Sequence, residues 1–178
     1  MRFEKNIKGS AWRSFAAVGQ TYARAETPAG VLVLHRGPAE SGTAAAAIEG
    51  QETWKIRHDG EISTILYDTG SPGVLARRRV KQGIHGTFDG ASLTLVGRGS
   101  FFPKSRAVSW EHETGSLTFV ARRFQIRLVD SAGKQIAAKN AGKWEVEEGA
   151  TQAQLIAICV FEWSEFDSLL EFPLLALF

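Results

Sequence analysis

An apolar stretch near the C-terminal part of the chain constrains the fold more than any other feature. Every residue from Leu155 to Phe161 is apolar, so a helix here has no polar face. Such a helix is buried in protein or crosses a membrane, and crossing takes roughly 20 apolar residues. Because this run is much shorter, we expect a helix over about residues 151–170 that is buried within the protein. Thr151 and Gln154 have the spacing of a capping box at its start.

The chain before this helix has the pattern of short antiparallel strands. Asp59-Gly60 separates two alternating segments, which predicts a β-hairpin. Turn signals recur about every ten residues, a spacing typical of an antiparallel barrel or sandwich rather than of βαβ units. Within this series we predict Val74–Lys81 as a strand, with Arg77 and Arg79 on one face and Arg78 on the other.

A long meander exposes two sheet edges unless it closes on itself, and an apolar helix would fill the closed form. The sequence therefore predicts a mainly β protein, an antiparallel closed β-barrel enclosing a C-terminal apolar α-helix. Residues 1–178 are expected to form a single domain, since this length supports one full core.

Composition favours a cytoplasmic protein. The first residues are charged and no apolar segment follows them, so we expect no signal peptide. Cys159 is the single cysteine, which excludes an internal disulfide, and its place in the apolar run predicts a buried thiol.

The last third of the chain resembles the tubby C-terminal-like superfamily, which includes tubby proteins, phospholipid scramblases and the plant LURP-one-related proteins. The resemblance lies in a pair of late strands, a third strand and the final helix: Gln125–Asp130, Lys134–Lys139, Lys143–Val146 and Gln154–Phe161. It implies a barrel that encloses the helix. It also implies contact with membranes, because tubby proteins bind phosphoinositide headgroups through basic side chains. The membrane-spanning helix and calcium segment of scramblases have no counterpart in this sequence.

Clusters of basic residues are the candidate ligand site. They are Arg77, Arg78, Arg79 and Lys81, followed by Arg122 and Arg123. Arginine suits phosphate because its planar guanidinium donates two parallel hydrogen bonds. The alternative interpretation is a solvated strand surface. All 21 lysines and arginines lie at or before Lys143, whereas the acidic residues continue to Glu171, so the acidic end is expected to fold back against the basic body.

Known catalytic and metal-binding patterns are missing from the sequence. The four histidines, His35, His58, His85 and His112, are far apart, whereas zinc ligands usually come in close pairs. There is no Gly-x-Ser-x-Gly nucleophile motif, and no βαβ context surrounds Gly97-Arg-Gly99. We therefore expect a non-enzymatic protein without metal, cofactor or nucleic-acid partner.

The leading hypothesis is a binding or scaffold module, peripheral at a membrane, with anionic phospholipid or a protein as its partner. The alternative is a small-molecule-binding barrel of lipocalin type, a carrier or an enzyme, in which the lumen holds ligand instead of the helix. The apolar tail Phe172–Phe178 is expected to pack on its own domain, or otherwise to form a homodimer contact.

Overall fold

The computed structural model describes residues 1–5, 21–38, 52–70, 72–100, 105–122 and 125–170. Arg123 and the apolar tail Phe172–Phe178 lie outside these residues. The described elements, in chain order, are β1 (Arg2–Lys5), β2 (Thr21–Thr27), β3 (Gly30–Pro38), β4 (Glu52–His58), β5 (Glu61–Leu66), α1 (Val74–Gln82), β6 (Ile84–Phe88), β7 (Ala91–Arg98), β8 (Ala107–His112), β9 (Gly115–Arg122), β10 (Gln125–Asp130), β11 (Gln135–Asn140), β12 (Lys143–Val146), α2 (Gln152–Trp163) and α3 (Asp167–Leu170).

The strands form one 12-stranded antiparallel sheet in which each strand pairs with the next along the chain. This confirms the prediction of a mainly β, antiparallel meander. Among the described residues, β1 and β12 each pair with one neighbour, and no ladder joins them.

Tight turns set the register of several hairpins. Asp59-Gly60, Asp89-Gly90 and Ala141-Gly142 all have positive φ at both residues, with values from 46° to 94°. Two consecutive positive φ angles define the type I′ turn, whose twist matches that of the flanking strands. The hairpin predicted at Asp59-Gly60 is therefore confirmed by the pairing of β4 with β5, because the turn needs residues that tolerate a left-handed backbone.

Helix α2 is buried on all sides. Residues Leu155–Phe161 are at most 1% exposed, and they share one hydrophobic cluster with side chains from every strand between β2 and β12. The Thr151–Gln154 capping box is present, with Gln154 N donating to Thr151 Oγ1 at 3.4 Å and Thr151 N donating to Gln154 Oε1 at 2.8 Å. Both the position of the helix start and its burial are as predicted.

The C-terminal boundary of α2 differs from the predicted helix over residues 151–170. Glu165 adopts a left-handed backbone with φ of 59°, and Phe166 N donates to Phe161 O at 3.2 Å. This Schellman-type end stops α2 at Trp163, and the chain resumes as the short helix α3. The two helices are thus separate elements, although one apolar pattern runs through both.

Val74–Gln82 is a helix, so the prediction of a strand over Val74–Lys81 is wrong. In a strand, Arg78 would lie between Ala76 and Val80 on the core face, where a cation has no partner. In the helix, Ala76 and Val80 are one turn apart and buried, at 1% and 0% exposure, and Arg78 is exposed. The helix therefore avoids burying an unpaired charge.

The buried thiol of Cys159 is expected to make the protein less stable at alkaline pH. Burial, reinforced by the charge of Glu162, raises the pKa of Cys159 well above its usual range. The unfolded chain loses this proton at about pH 8.5, whereas the folded chain keeps it. Above that pH the folded state binds more protons, so its stability falls as pH rises.

We expect the parent protein to lose stability relative to a Cys159→Ala variant by up to about 1.4 kcal/mol per pH unit above pH ~9. Urea unfolding of both proteins between neutral and alkaline pH measures the difference. Curves that stay parallel across the whole range would contradict the burial of Cys159.

Candidate functional site

An open groove of about 440 Å³ lies between helices α1 and α3. We call it the basic groove, and its lining residues are Val74, Arg77, Arg78, Lys81, Ser168 and Leu169. The four residues from α1 follow the spacing i, i+3, i+4, i+7, which places them on one helix face. The helix thus presents three cations together, with Val74, which is 66% exposed, at the end of their row.

Helix α1 is fixed to the sheet through its opposite side. Val80 lies directly over Gly97 of β7, where a Cβ atom would come within 2.8 Å of Val80 Cγ1. The absence of a side chain at Gly97 therefore allows the helix to approach the strand closely. At the start of α1, Gly73 N donates to Ser164 O at 3.3 Å, which ties the helix to the end of α2.

The opposite wall of the groove comes from α3. Leu170 is buried at 2% exposure, whereas Ser168 is exposed and Leu169 is half-buried. Ser168 Oγ donates to Glu165 O at 2.9 Å. A short helix with one buried side chain thus turns a hydroxyl and an apolar side chain towards the cations of α1.

The structure brings together three of the six predicted basic residues. Arg77, Arg78 and Lys81 line the groove. Arg79 lies on another side of α1, where its Nε donates to Asp68 O at 2.9 Å and its Nη1 to Gln82 Oε1 at 3.3 Å. Arg122 is exposed at the end of β9 and does not line the groove.

The grouping of the arginines therefore differs from the strand prediction, which joined Arg77 with Arg79 and separated Arg78. In a helix with 100° of rotation per residue, Arg77 and Arg78 lie on the face shared with Val74 and Lys81, whereas Arg79 lies off that face. Val74, Ser168 and Leu169 were not predicted as site residues. The i, i+3, i+4, i+7 spacing identifies Val74, whereas no local pattern identifies two residues that lie far along the chain.

The cations of the groove have no anionic partner in the described part of the protein. None of the carboxylates described there forms an ion pair with Arg77, Arg78 or Lys81. Like charges one helical turn apart destabilise a helix slightly. An anion bound in the groove would relieve this repulsion.

The acidic end of the chain folds back on the basic body at Lys139. Lys139 Nζ contacts Glu162 Oε2 at 2.7 Å and Asp167 Oδ2 at 3.3 Å. Burial alone would lower the pKa of Lys139, but hydrogen bonds and charges from the two acids outweigh it and raise that pKa. This contact agrees with the expected fold-back, although it leaves the groove cations uncompensated.

The described residues contain no cluster of three or more histidine, cysteine, aspartate or glutamate side chains suited to a metal ion. Three of the histidines make local contacts: His58 Nε2 is 2.8 Å from Ala29 O, His85 Nδ1 is 3.4 Å from Thr94 Oγ1, and His112 Nδ1 is 2.9 Å from Thr114 Oγ1. Within the described ranges, no helix combines the length and hydropathy needed to span a bilayer.

The fold and the groove define a mainly β protein, an antiparallel meander packed against a buried C-terminal helix, with a basic groove formed by two outer helices. Comparisons with protein-family models, curated proteins and solved structures find no match to this chain.

Proposed function

We propose that this protein is a non-enzymatic binding module of tubby-like fold that binds anionic phospholipid headgroups in the basic groove. In this proposal the protein is cytoplasmic and attaches peripherally to the membrane. The observation that carries it is the alignment of Arg77, Arg78 and Lys81 on one face of α1, unpaired by any described acid.

The burial of α2 supports a sheet that closes around the helix. A helix resting on a flat sheet leaves its far side in solvent, whereas Leu155–Phe161 has no exposed side. Side chains from β2 through β12 belong to the same cluster as α2, which supports a sheet that curves around the helix. We propose that the curved sheet closes into a barrel and encloses α2.

The same packing argues against a barrel of lipocalin type. Such a carrier needs a central lumen for its ligand. Here the centre is occupied by aromatic side chains, and Phe161 stacks on Phe119 with ring centroids 4.2 Å apart. A ligand site at the surface is therefore favoured over one in the interior.

The composition of the groove suits a phosphate at a bilayer surface. Arginine and lysine bind phosphate through charge-assisted hydrogen bonds. Each basic residue near an anionic membrane contributes about 1 kcal/mol, so three contribute on the order of 100-fold in affinity. Val74 and Leu169 add apolar surface beside these charges, as is typical of proteins that lie in the interfacial region.

The test is co-sedimentation with neutral and with phosphoinositide-containing vesicles over a salt series. We expect the parent protein to bind the anionic vesicles, with binding that weakens as salt increases. The Arg77→Ala/Arg78→Ala/Lys81→Ala variant is expected to lose on the order of 100-fold in affinity.

A matched control removes three exposed cations elsewhere, Arg24, Lys134 and Lys143, with the same change in net charge. Equal losses in the two triple variants would show a general charge effect and contradict a groove site. A soluble inositol phosphate added as competitor separates headgroup binding from attraction to the charged surface. Absence of parental binding at low salt would reject the proposal.

A further inference from the structure

A partly buried lysine connects the sheet to the wall of the basic groove. Lys139 of β11 has a side chain only 11% exposed, and its Nζ contacts Glu162 of α2 and Asp167 of α3. Glu162 Oε2 also accepts a hydrogen bond from Trp144 Nε1 at 3.1 Å. We call Lys139, Glu162, Asp167 and Trp144 the lysine clasp, which joins one strand pair to both C-terminal helices.

Asp167 links Lys139 to the wall of the basic groove. Its Oδ2 faces Lys139, while its Oδ1 accepts a hydrogen bond from Ser168 N at 3.0 Å. Ser168 and the neighbouring Leu169 line the groove opposite the three cations. The carboxylate of Asp167 therefore contacts Lys139 through one oxygen and Ser168 of the groove wall through the other.

Among the described ion pairs, the contact to Lys139 is the one that holds α3 to the sheet. The helix has four residues, and one turn of helix has little stability of its own. Its other anchors are the buried side chain of Leu170, the packing of Leu169 against the hydrophobic cluster, and the hydrogen bond from Ser168 Oγ to Glu165 O. The two oxygens of Asp167 thus add a polar connection to these anchors, between Lys139 of the sheet and the backbone of Ser168.

We propose that Asp167, held by Lys139, is a positioning residue that fixes the groove wall for anion binding. This inference rests on the proposed function for its binding readout. It has a second readout, the mobility of α3, which does not depend on any ligand.

The direction in which Asp167→Asn changes the affinity for anionic vesicles distinguishes a positioning role from a simple charge effect. The substitution removes a negative charge next to a site for anions, so charge alone would strengthen binding. Loss of the contact to Lys139 frees α3 and weakens binding. We expect about fivefold weaker association with phosphoinositide-containing vesicles, the scale of one partly exposed ion pair.

Hydrogen exchange provides the ligand-independent measurement. The amides of Ser168 and Leu169 are expected to exchange faster in Asp167→Asn than in the parent, because local opening of α3 costs less free energy. Asp167→Glu keeps the charge and is expected to recover most of the binding and protection. Glu148→Gln, at an exposed turn position, is the control for the same change in net charge.

Unchanged exchange in Asp167→Asn, or tighter vesicle binding equal to that of Glu148→Gln, would overturn the inference. Faster exchange with weaker binding supports it. If Asp167→Asn exchanges faster but the parent protein binds no vesicles, Asp167 positions α3 and the proposed headgroup function is rejected. Failure of the proposed function can therefore be distinguished from failure of this inference.

Discussion

Phe161→Ala is expected to lower the free energy of unfolding by about 3–5 kcal/mol, the range for removing a fully buried aromatic side chain. Phe161 is 1% exposed and stacks on Phe119 of β9. Its ring also meets Trp144 and Phe166 edge-on, at centroid distances of 6.0 and 6.1 Å. The substitution therefore removes contacts to β9, to β12 and to the turn after α2 at once.

Urea denaturation followed by tryptophan fluorescence measures this loss. Ile62→Ala, at a position that is 43% exposed, is the control and is expected to change stability by no more than about 0.5 kcal/mol. A cost below about 1 kcal/mol for Phe161→Ala would mean that α2 is loosely covered, and it would contradict a helix enclosed by the sheet.

The sequence predicts the buried helix and the hairpins because their signals are local. The apolar run Leu155–Phe161 leaves no polar face, and Thr151 with Gln154 defines the first turn. An Asp-Gly pair needs only two residues to specify a turn, as at Asp59-Gly60. These features depend on neighbours in sequence, so tertiary contacts have little opportunity to override them.

The α1 prediction failed because two periodicities compete in Val74–Lys81. The strand reading placed Arg78 on the same face as Ala76 and Val80. The helix keeps Ala76 and Val80 together and moves Arg78 outward. Arginine and lysine are good helix formers, and Gly73 and Gly83 border the element. The cost of burying an unpaired Arg78 favours the helix over the strand.

The basic groove could be predicted only in part. Its cations were identified as a cluster, but their grouping depends on the helical rotation of α1. Ser168 and Leu169 follow the left-handed residue Glu165, which ends α2, and the neighbouring Asp167 contacts Lys139. These contacts join β11 to α3 across 28 positions, a separation that no local pattern encodes.

An ion pair with a buried carboxylate is the other site where one substitution is expected to have a large effect. Arg36 of β3 donates from Nε to Glu52 Oε2 at 2.6 Å, and its Nη2 donates to the other oxygen of the same carboxylate. The side chains are 15% and 7% exposed. Arg36 also lies 4.4 Å from the ring centroid of Tyr22, and Trp54 Nε1 donates to Glu52 Oε2 at 3.3 Å.

We expect Arg36→Met to cost about 3–5 kcal/mol, because it leaves the carboxylate of Glu52 buried without its cation. The double variant Arg36→Met/Glu52→Gln removes that charge and keeps an acceptor for Trp54, so it is expected to recover most of the stability. Asp59→Asn, which alters the exposed pair with His58, is the control and is expected to cost less than about 1 kcal/mol. Chemical denaturation of the four proteins completes the comparison. A double variant no more stable than Arg36→Met would show that packing of the arginine, rather than the unpaired charge, causes the loss.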